Sequence, residues 1–311
     1  MIPPRDHGGG IDAAIDIYGG KRMGWLDLST GINPVPYPMP KLPPDALTAL
    51  PDKAAFARLH ARARSFWNIP DGAAIIGAAG ASAIIAALPH VLPKGGVCIP
   101  GPTYNEHGAA FRAAGWALDP NPDHVVVAVH PNNPDGRIWT DSDLQARITI
   151  IDESFCDTIP GQSLMHRAAS PGTVILKSFG KFWGLAGLRL GFAIGDPDII
   201  NKLTEILGPW QISGPALAIG AEALADPQWA DETRNRLTAD AARLDGLLTA
   251  TGAEVLGGTT LFRLYKVKNA TAAQEHLARA HVWSRVFPYA DDWLRLGLPA
   301  PDRWSQLEAA L

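Results

Sequence analysis

The chain has 311 residues, 47% hydrophobic and 19% charged, a composition that suits a soluble globular protein with one large domain and a smaller one. A formal net charge of −4 without a basic run excludes nucleic acid and anionic membrane as expected partners, and no apolar stretch is long enough to span a bilayer. Met1 to Gly10 lacks the apolar core of a signal peptide, and Cys98 and Cys156 offer neither a disulfide framework nor a metal-ligand spacing, so a cytoplasmic protein without a metal is expected.

Residues 1–40 are rich in Gly and Pro and read as an irregular arm, with a short helix over Ile11 to Tyr18 between His7-Gly8-Gly9-Gly10 and Leu28-Ser29-Thr30-Gly31-Ile32-Asn33-Pro34. By position alone His7 is a terminal histidine. Pro44 to Leu50 and Phe56 to Trp67 read as helices. Arg58, His60, Arg62 and Arg64 spread round the second one as solvated or interfacial groups.

Between residues 73 and 215, short apolar strands alternate with helices, which predicts an α/β domain with a mostly parallel sheet. Ala73 to Gly77 is the first strand. Ala79-Gly80-Ala81-Ser82 then opens a helix, so Gly80, Ala81 and Ser82 form either a plain strand-helix turn or a phosphate cup at a helix N-terminus. The strand Gly96 to Ile99 leads to Tyr104, a packed aromatic at a strand end, with His107 one helical turn on and read as structural. Val125 to Val129 leads into Asn132-Asn133-Pro134-Asp135-Gly136, a turn fixed by Pro and Gly.

Ile148 to Ile151 ends in Asp152, a carboxylate at the end of a buried strand that is costly unless paired. Asp157 is taken as a solvated loop carboxylate. Val174 to Lys177 leads into Ser178-Phe179-Gly180-Lys181, and Arg189 opens the next strand, Leu190 to Ile194. A lysine in apolar, glycine-rich surroundings loses water, which lowers its pKa and favours a nucleophilic amine; the alternative is a surface-loop lysine. Gly80, Tyr104, Asn133, Asp152 and Ser178 all lie at strand ends or in the turns after them, where open α/β sheets bind ligands.

Helices follow over Asp198 to Leu207, Pro215 to Ala225 and Trp229 to Leu248, with a break at Gly208 to Ser213. Strands over Leu261 to Val267 and Val282 to Phe287 and a helix over Ala272 to Ala280 fill a small C-terminal domain. Arg285 lies in one strand and Arg295 in Trp293 to Gly297; each reads as an edge-strand arginine in water or as an anion ligand. The expected division is an arm at 1–40, a large domain at 41–215 and linking helices with a small α+β domain at 216–311.

Ser178 to Gly191 resembles the lysine motif Ser-x-x-Lys-x-x-Gly-Leu-x-Gly-x-Arg-x-Gly of the fold-type I aminotransferase superfamily, which uses pyridoxal 5'-phosphate (PLP). The resemblance implies a large PLP-binding domain with its sheet sandwiched by helices, and a homodimer with Trp210 and its neighbours near the interface. It implies that Lys181 carries PLP covalently and that Arg189, Ser178 and the Gly80-Ala81-Ser82 cup hold the phosphate. Tyr104 would stack on the ring, Asn133 bind the phenolic oxygen and Asp152 the ring nitrogen.

Phe155 stands where many transaminases have a tyrosine. Leu50 replaces a tyrosine that in relatives reaches the partner subunit's cofactor. His7-Gly8-Gly9 and Leu28 to Pro34 resemble the opening of the threonine-phosphate decarboxylases of cobalamin synthesis, in which the arm folds over the active site. His7, Gly31, Asn33, Asn133, Arg285 and Arg295 would then contact substrate, a small phosphorylated amino acid. The implied reaction is decarboxylation of L-threonine O-3-phosphate to (R)-1-aminopropan-2-yl phosphate. His7-Gly8-Gly9, Phe155 and Gly180 favour it over an aminotransferase of the histidinol-phosphate type, and the intact Lys181, Asp152 and Arg189 favour both over a non-catalytic binding module.

Overall fold

The computed structural model describes residues 6–119 and 124–311. These form two compact units. The larger comprises residues 36–133 and 138–232; the smaller comprises the chain up to Val35, Pro134–Arg137 and Thr233–Leu311. Among the described residues, no helix is long and apolar enough to cross a membrane.

The smaller unit opens with α1 (Ile11–Tyr18) and the short strand β1 (Leu26–Asp27). Ile11 and Ala14 of α1 pack with Trp25 and Ala278, which buries the helix's apolar face.

The larger unit begins with α2 (Lys53–Phe66), β2 (Ala74–Ala78), α3 (Ala81–Val91), β3 (Gly96–Cys98), α4 (Asn105–Ala113) and β4 (Ala117–Leu118). It continues through β5 (Val125–Val129), β6 (Ile148–Asp152), β7 (Thr173–Ser178), β8 (Gly191–Gly195), α5 (Pro197–Leu207) and α6 (Gly214–Ala223). Its seven strands lie in the order β2-β8-β7-β6-β5-β3-β4. Neighbours are parallel except at β8, which runs antiparallel to both β2 and β7. Every residue of β5 and β6 is buried, as in strands covered on both faces; β5 is a continuous apolar run, and β6 is apolar apart from Thr149 and the terminal Asp152. Val129 pairs with Asp152 and Asp152 with Leu176, so the carboxyl ends of β5, β6 and β7 lie side by side. That register brings the turns carrying Asn133, Asp152 and Ser178 to one edge of the sheet.

The remaining elements are α7 (Pro227–Ala250), which the division between units cuts at Glu232, β9 (Glu254–Thr259), β10 (Phe262–Lys266) and α8 (Ala270–Arg279). They are followed by β11 (Val282–Trp283), β12 (Arg285–Phe287), β13 (Ala290–Gly297) and α9 (Trp304–Ala310). The smaller unit holds an antiparallel sheet in the order β12-β13-β10-β9 and a parallel pair, β1 with β11.

Three expectations are corrected. Pro44 to Leu50 is a succession of turns, in which Ala46 N–H donates to Pro43 O and Ala49 N–H to Asp45 O. Pro43 and Pro44 remove donors, and Pro51 disfavours a helical Leu50. The expected strand from Val282 to Phe287 is two strands in different sheets. The break falls at Ser284, whose carbonyl accepts from Gln274 Nε2 at 2.7 Å instead of joining a ladder. Strand β9 is additional. Its Gly257 and Gly258 interrupt the apolar pattern, and a Cβ on Gly257 would lie 2.2 Å from Asp135 O.

Candidate active site

The start of α3 builds the cationic end of a pocket in the larger unit. Gly80 caps this helix at φ +84°, and a Cβ there would lie 2.5 Å from Nη2 of Arg189. Only glycine admits both the conformation and the guanidinium. Arg189 thus rests against the first turn of α3, where backbone N–H groups lack intrahelical partners and the positive end of the dipole lies. Arg189 does not open β8, as the sequence suggested. It adopts a left-handed conformation at φ 55° after the turn Ala186–Leu188, and its Nη1 donates to Ala186 O at 3.0 Å. Gly191 begins β8 because a Cβ there would lie 2.3 Å from Ala81 N.

Ala81, Ser82 and Arg189 line one part of the pocket. Ser178, Lys181, Tyr104 and Asn133 line the rest with Asp152 and Phe155. Six separate segments of the sequence therefore meet here. Lys181 is half-buried, with Nζ 5.3 Å from the centre of the Phe155 ring. Ser178 Oγ accepts from Gly180 N–H at 3.2 Å, which shapes the turn leading to the lysine. Tyr104 precedes α4 and meets the His107 ring edge-on at 6.0 Å.

Asp152 is buried at the end of β6. Its Oδ2 lies 2.8 Å from His107 Nε2, and its Oδ1 accepts from the N–H and the hydroxyl of Ser154. Burial by itself would raise the carboxyl pKa; the hydrogen bonds and the charge of His107 outweigh it and hold the group below its ordinary value. His107 therefore belongs to the site, although its sequence context reads as purely structural. Its signal was the spacing of three from Tyr104 on a helix whose buried face also carries Gly108 and Phe111.

Asp157 is not solvated. It is buried, accepting from Trp67 Nε1 at 2.9 Å, Trp183 Nε1 at 3.1 Å and Lys177 Nζ at 3.2 Å. Lys177 also pairs with Glu153 at 2.7 Å, and Glu153 accepts from Ser163 Oγ at 2.7 Å and Leu164 N–H at 2.6 Å. Burial opposes both charges of the Lys177–Glu153 pair, but their mutual attraction prevails: the lysine is raised and the carboxyl lowered.

The other candidates lie in the smaller unit. Arg285 and Arg295 face each other across β12 and β13. Arg285 lies on the edge strand β12 but is largely covered, and Arg295 lies on the inner strand β13. Arg285 holds both oxygens of Asp6, each at 2.6 Å, and Arg295 is buried with Nη2 donating to Ser29 O at 2.6 Å. Burial, reinforced by the neighbouring Arg285, lowers the Arg295 pKa to about 10. Asn33 is buried, its Oδ1 accepting from Val35 N–H at 3.0 Å and Arg236 Nη2 at 2.6 Å; Gly31 is buried as well. His7 is exposed in an arm seated on Ser29, since Gly9 N–H donates to Ser29 Oγ at 2.7 Å.

The residues of the larger unit fit PLP by the chemistry of their donors. The N-terminus of α3, the Ser82 and Ser178 hydroxyls and Arg189 suit a phosphate, and a carboxylate held anionic suits a protonated ring nitrogen.

A family model for aminotransferase class I and II matches residues 116–310. The chain is 38% identical to the threonine-phosphate decarboxylase of a Sinorhizobium species, over 97% of this chain and 95% of the relative. It is 37% identical to the threonine-phosphate decarboxylase of Pseudomonas aeruginosa, over 98% of this chain and 97% of the relative. Among solved structures, the histidinol-phosphate aminotransferase of Sinorhizobium meliloti in complex with pyridoxal-5'-phosphate superposes with a TM-score of 0.82 at 15% identity, covering 100% of this chain and 96% of that one. This last likeness shows the shared fold.

Proposed function

We propose, for a chain that belongs to the aminotransferase class I and II family, that it releases the carboxylate of L-threonine O-3-phosphate as CO2 and leaves (R)-1-aminopropan-2-yl phosphate. The observation that carries this reading is the near full-length likeness to two relatives named for that activity. PLP is the cofactor of the superfamily, and the pocket's donor set supports its use here. Lys181 is its covalent carrier; Ala81, Ser82, Ser178 and Arg189 take its phosphate; Tyr104 covers its ring; Asn133 and Asp152 take its phenolic oxygen and ring nitrogen.

When bound, the cofactor supplies an electron sink for the pair released at the substrate's α-carbon. The rest falls to the chain's own residues. Asp152, held anionic by His107 and Ser154, keeps a proton on the ring nitrogen. Lys181 Nζ delivers the proton that replaces the carboxylate at the α-carbon, so the net reaction consumes one proton and releases one CO2.

Arg285 and Arg295 offer guanidinium groups to the substrate's anionic groups, and His7, Gly31 and Asn33 belong to the arm that these arginines meet at Asp6 and at the Ser29 carbonyl. A phosphate dianion gains strongly from paired arginines, and that remote binding energy orients the carbon–carboxylate bond for cleavage. The same reading makes the working enzyme a homodimer, which light scattering at assay concentration checks. The direct test is CO2 release from L-threonine O-3-phosphate compared with L-threonine.

A further inference from the structure

The buried charge cluster of the larger unit is interleaved with the pocket along the sequence. Glu153 follows Asp152, Asp157 lies two residues after Phe155, Lys177 precedes Ser178, and Trp183 lies two residues after Lys181. Adjacent residues of a strand point to opposite faces, so β7 sends Ser178 to the pocket and Lys177 behind it. Asp157 is the hub. It receives three donors from three elements: Trp67 after α2, Lys177 on β7 and Trp183 in the lysine loop.

Trp183 is the contact that matters for the chemistry. It is fully buried and lies between two near-parallel rings, Phe179 at 5.1 Å and 10° and Trp229 at 5.3 Å and 12°. Stacking fixes the plane of the indole, and Phe182, Tyr37 and Phe66 crowd it edge-on or tilted, but none of these contacts is directional within that plane. Two polar contacts add direction, one to the ring and one to the backbone. The indole N–H donates to Asp157 Oδ2, and the Trp183 carbonyl accepts from Tyr37 N–H at 2.9 Å. Gly184 N–H closes a turn onto Lys181 O at 3.1 Å, so the lysine's backbone and Trp183 share one short turn.

We propose that Asp157 is a positioning residue for Lys181: through the Trp183 indole it sets the register of the 181–184 turn, and so the place of the lysine amine in the pocket. This rests on the reading of Lys181 as the covalent carrier of PLP. The arrangement also gives the buried carboxylate a part in the site. A carboxylate offers several acceptor sites in one plane and serves two indoles and an ammonium together, which a neutral amide cannot do.

The experiment uses the full-length enzyme loaded with PLP, in the wild type and in Trp183→Phe, Asp157→Asn and Trp67→Phe. Total bound cofactor is measured by absorbance after alkaline release. The fraction attached to Lys181 is measured by mass spectrometry after borohydride trapping. Trp183→Phe keeps an aromatic ring in the stack and removes the N–H with part of the ring system, a volume loss that Trp67→Phe shares. Asp157→Asn keeps one acceptor and turns a donor toward the second indole.

Both variants are expected to bind cofactor through the phosphate cup yet show a several-fold lower trapped fraction, with turnover reduced on the order of 10- to 100-fold, as for a misplacement of about 1 Å. The double variant should be no worse than either single one. Trp67→Phe removes the other indole donor and should lower thermal stability while the trapped fraction stays at the wild-type value. The proposal is overturned if Trp183→Phe traps as the wild type does, or if Trp67→Phe and Trp183→Phe lose the trapped fraction equally. A wild-type protein that never attaches PLP to Lys181 would instead refute the cofactor reading itself.

Discussion

His107 Nε2 lies 2.8 Å from Asp152 Oδ2 with both side chains buried, so the carboxylate at the end of β6 is held from behind by a residue of α4. This contact fixes the acceptor that, in the proposed function, takes the cofactor's ring nitrogen. Asp152→Asn should retain bound cofactor and lose turnover by about 100-fold or more, the scale of removing one preorganised electrostatic partner. His107→Asn should cost about tenfold or more, since a hydrogen bond to a charged group contributes about 1.5–3 kcal/mol. Steady-state rates with measured cofactor content separate the two losses. Because the Asp152 pKa is lowered in the folded state, its stabilising contribution is complete above the unfolded carboxyl range and is lost only as pH falls through the lower folded value.

Lys181→Ala should abolish the visible absorbance band that borohydride bleaches in the loaded wild type. Cofactor that still associates should wash out on dialysis. The absorbance spectrum before and after reduction reads both outcomes.

In the smaller unit, Asp6 occupies both terminal nitrogens of Arg285. A substrate anion that uses Arg285 must displace this tethered carboxylate. Asp6→Asn should therefore lower KM for the phosphorylated substrate by several-fold with little change in kcat, while Arg285→Ala raises KM by tenfold or more. Arg295→Ala should differ from Arg285→Ala in also lowering thermal stability, because it leaves the buried Ser29 carbonyl without its donor.

His60 on α2 is mostly buried, with Nε2 shielded from water, and burial followed by the charge of Arg64 lowers its pKa to about 4. A histidine kept neutral in the fold but free to protonate when unfolded favours folding above its unfolded pKa of about 6.5. That contribution declines as pH falls from about 6.5 to about 4. The ceiling is about 3 kcal/mol. Melting temperatures between pH 7 and pH 4 should fall more steeply for the wild type than for His60→Gln.

Much of this was legible from the chain alone where local chemistry dictates structure. The apolar run Val125–Val129 is a strand because five consecutive apolar residues, four of them β-branched valines, cannot leave the interior. Gly80, legible as a turn opening a helix, caps α3 with Arg189 packed against it. What stayed hidden was long-range pairing. Asp157 looks like a solvated loop residue until three donors from distant segments reach it, and Arg295 looks like an edge residue until β12 and β10 flank it. Leu50 is 67% exposed in a run of turns, and the signal against the helix expected there was the flanking Pro43, Pro44 and Pro51.

The most direct test of the proposed activity is a single assay with the PLP-loaded protein and L-threonine O-3-phosphate, following CO2 and, in a second channel with added 2-oxoglutarate, amine transfer. The account predicts stoichiometric CO2 with formation of an amine phosphate, no glutamate, and much lower turnover at saturation for unphosphorylated threonine. Glutamate formation without CO2, or equal turnover of threonine and its phosphate, would contradict it.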